Sequence, residues 1–259
     1  MEKTKVLLGM RTMGDIPTDM VRFLLFLEIP DDVELSYWFT QSLPHCIWVN
    51  DIIRMWVHNE YDYIFFLDDD NIPENKDIFK KLLAMDKKIA TGIVPSRTPM
   101  QWFHTLCIFK EQLDENSMIG YDQYINLPEE ETFEVAMCGF GCVLIHKDVF
   151  TKVYSTFHDF PTEMRTMRYY PLEDRVYSEE EIDYRNIKLP EWALRYKKYV
   201  SEDICFFERC KRLCDEKIRA NKEIRCTHIG LPKLVRIKED IEEANKDLPL
   251  TVAKWVESQ

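Results

Sequence analysis

Apolar and polar residues follow one another along the chain in blocks that predict strands and helices in turn. Residues 4–10 form a short apolar block typical of a buried strand, and residues 18–28 carry apolar side chains at helical spacing. Strands are also predicted at 33–39, 61–67, 88–94, 133–137, 142–146 and 223–228, and helices at 46–58, 73–85, from 148 and from 201. This alternation predicts an α/β fold with a mixed, mostly parallel sheet flanked by helices.

The most informative segment joins a buried strand to a cluster of carboxylates. Residues 61–67 are mostly apolar or aromatic, and Asp68, Asp69 and Asp70 follow them directly. Ligands of a parallel α/β sheet bind beyond the carboxyl ends of its strands, which is where these acids stand. Neighbouring carboxylates repel one another unless a cation or hydrogen-bond donors compensate them. We expect a Mg²⁺ or Mn²⁺ site here, although a solvated turn before a helix would use the same residue types.

Other nucleotide- and metal-binding motifs fail on this sequence. The chain has seven glycines and no Gly-x-x-x-x-Gly-Lys-Ser/Thr, which excludes a P-loop enzyme. The turn Gly139-Phe140-Gly141 has Leu144 where a dinucleotide fingerprint needs its third glycine. Calcium binding by an EF-hand loop that begins at Asp68 is excluded because Pro73 occupies the glycine position.

Two further positions offer chemistry. Glu202 and Asp203 follow Ser201 at the start of a predicted helix, where a carboxylate facing the ligand crevice can accept a proton from a substrate hydroxyl. A plain helix cap explains the same residues equally well. His228 lies just past a short apolar stretch, and a histidine in such a place is by itself more often a surface or core residue than a ligand.

Composition and charge narrow the classes of protein. Hydrophobic residues make up 46% of the 259 positions, enough for a sizeable core. A net charge of −12 disfavours binding to an extended nucleic-acid duplex. Eight cysteines without a Cys-x-x-Cys pair indicate reduced thiols, and the longest apolar stretch, residues 20–29, is too short to cross a membrane. With no secretory signal at the start, we expect a cytoplasmic protein.

Five motifs follow one another in a characteristic order. They are the apolar run ending in Asp68-Asp69-Asp70, Thr91-Gly92 with Arg97, the segment 138–145, Ser201-Glu202-Asp203, and His228-Ile229-Gly230. This order resembles the GT-A-fold glycosyltransferases, most closely the compact family-2-like enzymes common in bacteria and their phages. The resemblance covers residues 4–230, and the ordered set is far more specific than any one motif.

The resemblance implies a Rossmann-like GT-A domain over residues 1–230, followed by a helical extension at 231–259. Residues 1–100 would form the half that binds the nucleotide sugar, and residues 101–230 the acceptor and catalytic half. The implied activity is the metal-dependent transfer of a hexosyl or pentosyl unit from a nucleotide diphosphate sugar, a UDP-sugar in first place, to an acceptor hydroxyl with inversion.

The same resemblance assigns roles to individual residues. Asp68 and Asp70 match the Asp-x-Asp motif that holds Mn²⁺ or Mg²⁺, and His228 matches the histidine that completes the coordination. Asp203 matches the base of inverting members, with Glu202 beside it. The implied donor-binding positions are Thr12, Asn50, Asp69, Arg97, Gly139 and Gly141. Arg11 stands where a proline is expected before Thr12, which leaves the identity of the base open, and a buried structural turn explains the two glycines equally well.

Two alternatives belong to other classes. A sugar nucleotidyltransferase also needs carboxylate-bound Mg²⁺, but it usually carries a phosphate loop rich in glycine and lysine after the first strand, and residues 9–14 match that loop poorly. A non-catalytic module that binds a sugar nucleotide or a glycan would keep the fold without turnover. The expected acceptor is a glycan or a hydroxylated molecule such as a modified nucleobase. The acidic stretch 170–185 is interpreted as a lid over the site, and plain disorder is the alternative.

Overall fold

The structure is a computed structural model. It describes residues 2–12, 14–41, 59–96, 106–111, 121–124, 126–155, 215–229 and 234–235. Two further helical segments are described at single positions, namely 48, 49, 52, 53, 55 and 56 in one segment, and 203, 206, 207, 210, 211 and 214 in the other.

The described chain alternates between strands and helices over most of its length. The first half contains β1 (Thr4–Thr12), α1 (Thr18–Phe26), β2 (Val33–Gln41), β3 (Tyr63–Asp68), β4 (Asn71–Pro73), α2 (Ile78–Ala84) and β5 (Ile89–Ile93). The second half contains β6 (Ile108–Glu111), β7 (Tyr121–Gln123), β8 (Thr132–Val135), β9 (Met137–Cys138), β10 (Cys142–His146), α3 (Lys147–Ser155), β11 (Ile218–Ile229) and β12 (Leu234–Val235).

One large sheet carries the fold, in the order β12-β11-β5-β10-β3-β1-β2, with β4 and β8 also paired to β11. Strand β1 runs parallel to β2 and β3, and β11 runs parallel to β5. Because β10 is antiparallel to both β3 and β5, these two strands point the same way. The carboxyl ends of β1, β2, β3, β5 and β11 therefore share one edge of the sheet. This is the predicted α/β architecture, a mixed and mostly parallel Rossmann-like sheet. A small second sheet has the order β7-β6-β9.

Helices cover both faces of the large sheet. Side chains alternate along β1, so that Leu7 joins one hydrophobic cluster while Val6 and Leu8 join the other. The first cluster packs the sheet against α3 and both partly described helical segments, and the second packs it against α1 and α2. Large buried side chains on the first face are Trp48, Phe66, Phe150, Phe206 and Phe207, and on the second face Met20, Phe65, Phe79 and Leu82. No helix among the described residues is long and apolar enough to span a membrane.

The structure differs from the sequence expectations where strands pair over long distances. Asn71–Pro73 forms the short strand β4, which pairs with β11, and the following helix begins only at Ile78. Strand β11 begins at Ile218, five residues before the predicted start. The polar residues near its beginning interrupt the alternation of apolar and polar side chains that marks a strand. A register shift between Ala220 and Arg225 accommodates this polar stretch within the pairing with β5.

Two residues of the predicted helical extension are described, and they form a strand. Leu234 and Val235 form β12, which pairs antiparallel with the end of β11. The pairing partner supplies the hydrogen bonds, so local helical periodicity does not decide the outcome here. The remaining residues of 231–259 lie outside the described part of the chain.

Candidate active site

Three of the predicted residues meet at the carboxyl edge of the sheet. Asp68 is the last residue of β3, and a turn at Asp69 and Asp70 leads into β4. Strand β4 folds back onto β11 so that Asn71 stands opposite His228 in the ladder, and the Ile229 amide donates to the Asp70 carbonyl at 2.7 Å. The β4–β11 pairing thereby brings the histidine to the aspartates.

The position of His228 is fixed from both ring nitrogens. The side chain is 7% exposed, and its Nδ1 lies 2.8 Å from the carbonyl oxygen of Pro95. Because a carbonyl oxygen only accepts, Nδ1 carries a proton, and Nε2 faces Oδ2 of Asp70 at 3.4 Å. Histidine ligands of metals characteristically donate their other ring N–H to a carbonyl in this way. The pair can therefore exist as an imidazolium–carboxylate contact or as two ligands that share a cation.

Asn71 holds the carboxylate of Asp68. Its Nδ2 donates to Asp68 Oδ2 at 3.1 Å, and the side chain is 2% exposed. Its Oδ1 is buried with no hydrogen-bond partner among the described residues. A buried acceptor without a partner costs free energy, so a ligand or solvent molecule that donates to it would stabilise the site. Sequence analysis missed Asn71, although its place directly after the three aspartates was a usable signal.

Gly141 allows the approach of these side chains. A β-carbon at this position would lie 2.5 Å from Asn71 Nδ2 and 3.1 Å from Asp68 Oδ2, closer than packed atoms come. The Asp68 amide also donates to the Gly141 carbonyl at 3.3 Å, which ties the glycine turn to the end of β3. Gly141 is therefore required by the close approach at the site.

Asp203 lies near Gly139, whereas Asp68 lies near Gly141 at the other end of the glycine turn 139–141. The helical segment that carries Asp203 is anchored by Phe206 and Phe207, both fully buried, whose rings pack against Phe140 with centroids 5.5 Å apart in each case. Oδ2 of Asp203 lies 3.6 Å from where a β-carbon on Gly139 would be, which is an ordinary contact distance. The predicted base thus borders the open space left by the missing side chain of Gly139.

The Cys107 thiol responds to the charges of the three carboxylates. Burial, together with the charges of Asp203, Asp68 and Asp70, raises the pKa of its thiol to about 12. For Asp203 the structure shows the proximity to Cys107 directly, because a β-carbon on Gly139 would lie 3.6 Å from Asp203 Oδ2 and 3.7 Å from the Cys107 β-carbon. The Cys107 amide donates to the Val94 carbonyl at 2.7 Å, and its own carbonyl accepts from the Gly139 amide at 3.0 Å. Sequence analysis gave no signal for this residue, because its role depends on tertiary contacts alone.

No disulfide joins the cysteines that the structure describes. Every cysteine in the described ranges is a free thiol, namely 107, 138, 142, 210, 214 and 226. Burial raises the pKa of Cys138, and a hydrogen bond with Cys142 together with burial raises the pKa of Cys226. Cys138 and Cys226 therefore stay protonated near neutral pH and contribute packing.

Of the remaining predicted site residues, Thr12 lies at the edge of the site and three others are not described. Thr12 stands at the same sheet edge, one residue past the partner of Asp68 in the β1–β3 ladder, and is 4% exposed. Its hydroxyl donates to the Gly14 carbonyl at 3.4 Å, so it is used within its own loop. Asn50, Arg97 and Glu202, and the lid predicted at 170–185, lie outside the described residues.

The donor set at this edge fits a divalent cation by its chemistry. Within the described residues, no group of three or more His, Cys, Asp or Glu side chains is arranged to hold a metal ion as it stands. Asp68 and Asp70 nevertheless offer carboxylate oxygens, His228 offers a nitrogen oriented by its Nδ1–H, and Asn71 Oδ1 is an unpartnered buried oxygen. Hard oxygen ligands with one imidazole suit Mn²⁺ and Mg²⁺.

Comparisons with known proteins support the fold. No protein-family model and no curated protein matches the chain. The crystal structure of A197 from STIV aligns over 90% of this chain and 93% of its own, with a TM-score of 0.51 and 16% identity. The structure of apo-UDP-glucose pyrophosphorylase aligns over 100% of both chains, but its TM-score of 0.40 and identity of 10% are too low to support a conclusion about this chain. The first similarity shows a shared Rossmann-like α/β fold and nothing finer.

Proposed function

We propose that this protein is a metal-dependent glycosyltransferase that moves a sugar from a nucleotide diphosphate sugar to an acceptor hydroxyl with inversion. The observation that carries the proposal is the placement of three carboxylates at the glycine turn 139–141. Asp68 Oδ2 lies 3.1 Å from where a β-carbon on Gly141 would be, Asp203 Oδ2 lies 3.6 Å from where one on Gly139 would be, and Asp70 faces His228. Asp68 ends β3 and Asp70 belongs to the turn that follows it, whereas Asp203 comes from a separate helical segment. Such a division suits one group of acids for the donor and a separate acid for the acceptor.

The donor side of the site would hold the diphosphate through a cation. Asp68, Asp70 and His228 are the residues that would bind Mn²⁺ or Mg²⁺, which supplies positive charge to the leaving nucleoside diphosphate. Asn71 keeps one oxygen of the Asp68 carboxylate engaged, and Pro95 orients the ring of His228. These two hydrogen bonds hold Asp68 and His228 in place, which lowers the cost of ordering them when a cation binds.

The acceptor side centres on Asp203. Its carboxylate takes the proton from the acceptor hydroxyl as that oxygen attacks the anomeric carbon and the bond to the diphosphate breaks. The buried rings of Phe206 and Phe207 fix the helical segment, so the carboxylate keeps its place beside Gly139. The absence of a side chain at Gly139 leaves room for the acceptor to approach.

The proposal is tested by following the products. Purified protein is incubated with Mn²⁺ and UDP-, GDP-, CDP- or dTDP-sugars, and release of the nucleoside diphosphate is measured with and without acceptor glycans. We expect release from one donor, faster with an acceptor and abolished by EDTA. Pyrophosphate release from a nucleoside triphosphate and a sugar 1-phosphate would show a nucleotidyltransferase instead. Binding of the sugar nucleotide without either reaction would show a non-catalytic module.

The two glycines of the turn form a matched pair for mutation. Gly141→Ala places a methyl group against the buried Asn71 amide and Asp68, so we expect a loss of about 1–3 kcal/mol in the free energy of unfolding and weaker nucleotide binding. Gly139→Ala meets only ordinary contacts, so we expect unchanged stability and a turnover lowered about 10- to 100-fold by the methyl group beside Asp203. Calorimetry and turnover assays of both variants check this. Full turnover in Gly139→Ala would exclude this space from the path of the acceptor.

Asn71 provides a second test of the donor side. Asn71→Ala removes the hydrogen bond to Asp68 and also removes the buried unpartnered oxygen, so the two effects on stability offset each other to within about 1 kcal/mol. We expect the affinity for Mn²⁺ with nucleoside diphosphate to fall about tenfold in Asn71→Ala, and to be kept or raised in Asn71→Asp, because the bound cation compensates the added carboxylate beside Asp68. Electron paramagnetic resonance titration of Mn²⁺ measures this, with the exposed Asn59→Ala as control. Equal affinities in all three variants would remove Asn71 from the site.

A further inference from the structure

A second cleft lies at the opposite edge of the large sheet from the carboxylate site. It has a volume of about 770 Å³ and is bordered by the start of β1, the start of β3 and the end of β10. Tyr63 begins β3 and Asp68 ends it, so about 16 Å of strand separate the cleft from the carboxylates. The volume is within the range of about 300–1,000 Å³ that ligand pockets occupy. The proposed function uses none of the residues that line this cleft.

Fixed and half-buried aromatic rings line the cleft. The indole Nε1 of Trp56 donates to the Tyr61 carbonyl at 2.7 Å, and its ring packs on Phe150 with centroids 5.2 Å apart. Tyr63 and His146 meet edge to face at 4.8 Å. These contacts hold the rings in place, so little further entropy is lost on binding. The parts of Trp56, Tyr61 and Tyr63 that stay exposed suit contact with the C–H faces of sugar rings.

The charges that line the cleft cancel. Asp62 accepts from the Lys147 ammonium group at 2.7 Å and from the Lys5 amide at 3.0 Å. His146 accepts the Asp148 N–H on its Nδ1 at 3.2 Å, and burial lowers its pKa, so it is neutral near pH 7. The formal sum over the charged lining residues is zero, from three acids and three bases: Glu2, Glu60, Asp62, Lys3, Lys5 and Lys147.

A balanced lining selects against charged ligands. A phosphate or a nucleotide is bound where cationic groups are in excess, and a cation where carboxylates are in excess. A neutral molecule with many hydroxyl groups can instead donate to the carboxylates and accept from the ammonium groups while its apolar faces contact the rings.

We propose that this cleft is a binding site for a neutral oligosaccharide, separate from the carboxylate site. The site goes beyond the proposed function, since a saccharide can occupy it whether or not the protein transfers sugar. Its distance from the carboxylates suits a chain of several sugar units held away from the reacting end.

The test follows the Trp56 indole N–H by nuclear magnetic resonance in the full chain, with Trp56→Phe used for its assignment. The neutral probes are maltohexaose, cellohexaose and tetra-N-acetylchitotetraose, and the charged probes are hexagalacturonic acid, deacetylated chitotetraose and UDP. We expect at least one neutral probe to shift the Trp56 signal with millimolar or tighter affinity. The acetylated and deacetylated chitotetraoses differ in charge, and we expect at least tenfold weaker binding of every charged probe at this signal.

Variants separate this site from the carboxylate site. Tyr61→Ala should weaken binding of the saccharide at least tenfold, and Tyr37→Ala, which truncates an exposed tyrosine on β2 away from the cleft, should change it less than twofold. Asp68→Ala should leave saccharide binding intact even if it abolishes nucleotide binding, so failure of the proposed function does not affect this result. No shift of the wild-type Trp56 signal by any neutral probe, or tighter binding of a charged probe there, would overturn the proposal, and this holds even if Tyr61→Ala does not fold.

Discussion

Asp203→Asn is expected to lower the turnover number of sugar transfer by about 10²- to 10⁴-fold, the range that a general base contributes. The amide has the shape of the carboxylate but cannot accept the proton of the acceptor hydroxyl. Phe206 and Phe207 hold the helical segment in either case, so donor binding should be unchanged. Turnover at saturating donor and acceptor, with calorimetric binding of the nucleoside diphosphate, measures both parts.

The control for this variant is Asp215→Asn. Asp215 follows the same helical segment, and its φ of 52° is one that asparagine also tolerates. We expect full turnover from this control. Retention of more than a tenth of the turnover in Asp203→Asn would exclude Asp203 as the base and would favour a mechanism without a protein base at this position.

Asp70→Ala is expected to abolish the metal dependence of nucleotide binding. The change removes the carboxylate that faces Nε2 of His228 and so breaks the proposed ligand pair. We expect a loss of at least about 100-fold in affinity for Mn²⁺ with nucleoside diphosphate, because replacement of an outer-shell partner alone costs about 10- to 100-fold. Titration of Mn²⁺ in the presence and absence of the nucleotide measures this affinity.

Asp77→Ala is a suitable control for the same titration. Asp77 precedes α2 and pairs with Lys81 at 3.6 Å. The substitution therefore removes one carboxylate from the same stretch of chain without changing a residue of the site. We expect its Mn²⁺ affinity to match the wild type. If Asp70→Ala binds Mn²⁺ with nucleotide as tightly as Asp77→Ala does, the turn after β3 is not the metal site.

The sequence predicts the central strands β3, β5 and β10 well because they are short and apolar. The aromatic run that ends at Asp68 favours a buried strand, and the alternation of such runs with amphipathic segments indicates the α/β class. The position of Asp68 at the carboxyl edge follows from the parallel pairing of β1 and β3. These features depend on local pattern, which a single sequence carries.

Parts of the site could not be predicted because they depend on distant pairing. The strand Asn71–Pro73 is three residues long, too short for a pattern, and it exists because β11 supplies its partner. Burial and the charges of three carboxylates from two distant segments raise the pKa of Cys107, and nothing in its neighbourhood along the chain marks it. The second cleft, which Trp56 lines, lies where the beginnings of β1 and β3 meet the end of β10. Only the order of strands in the sheet reveals that these segments are neighbours.

The central claim is that the carboxylate edge binds a nucleoside diphosphate through a divalent cation. Isothermal titration of the protein with uridine, guanosine, cytidine and thymidine diphosphates, each with Mn²⁺ and then with EDTA, tests it most directly. We expect tight binding of one nucleotide, which is lost with EDTA and in Asp70→Ala. The nucleotide that binds identifies the base of the nucleotide-sugar donor. If no nucleotide binds in the presence of Mn²⁺, the glycosyltransferase proposal is wrong and the three aspartates serve another purpose.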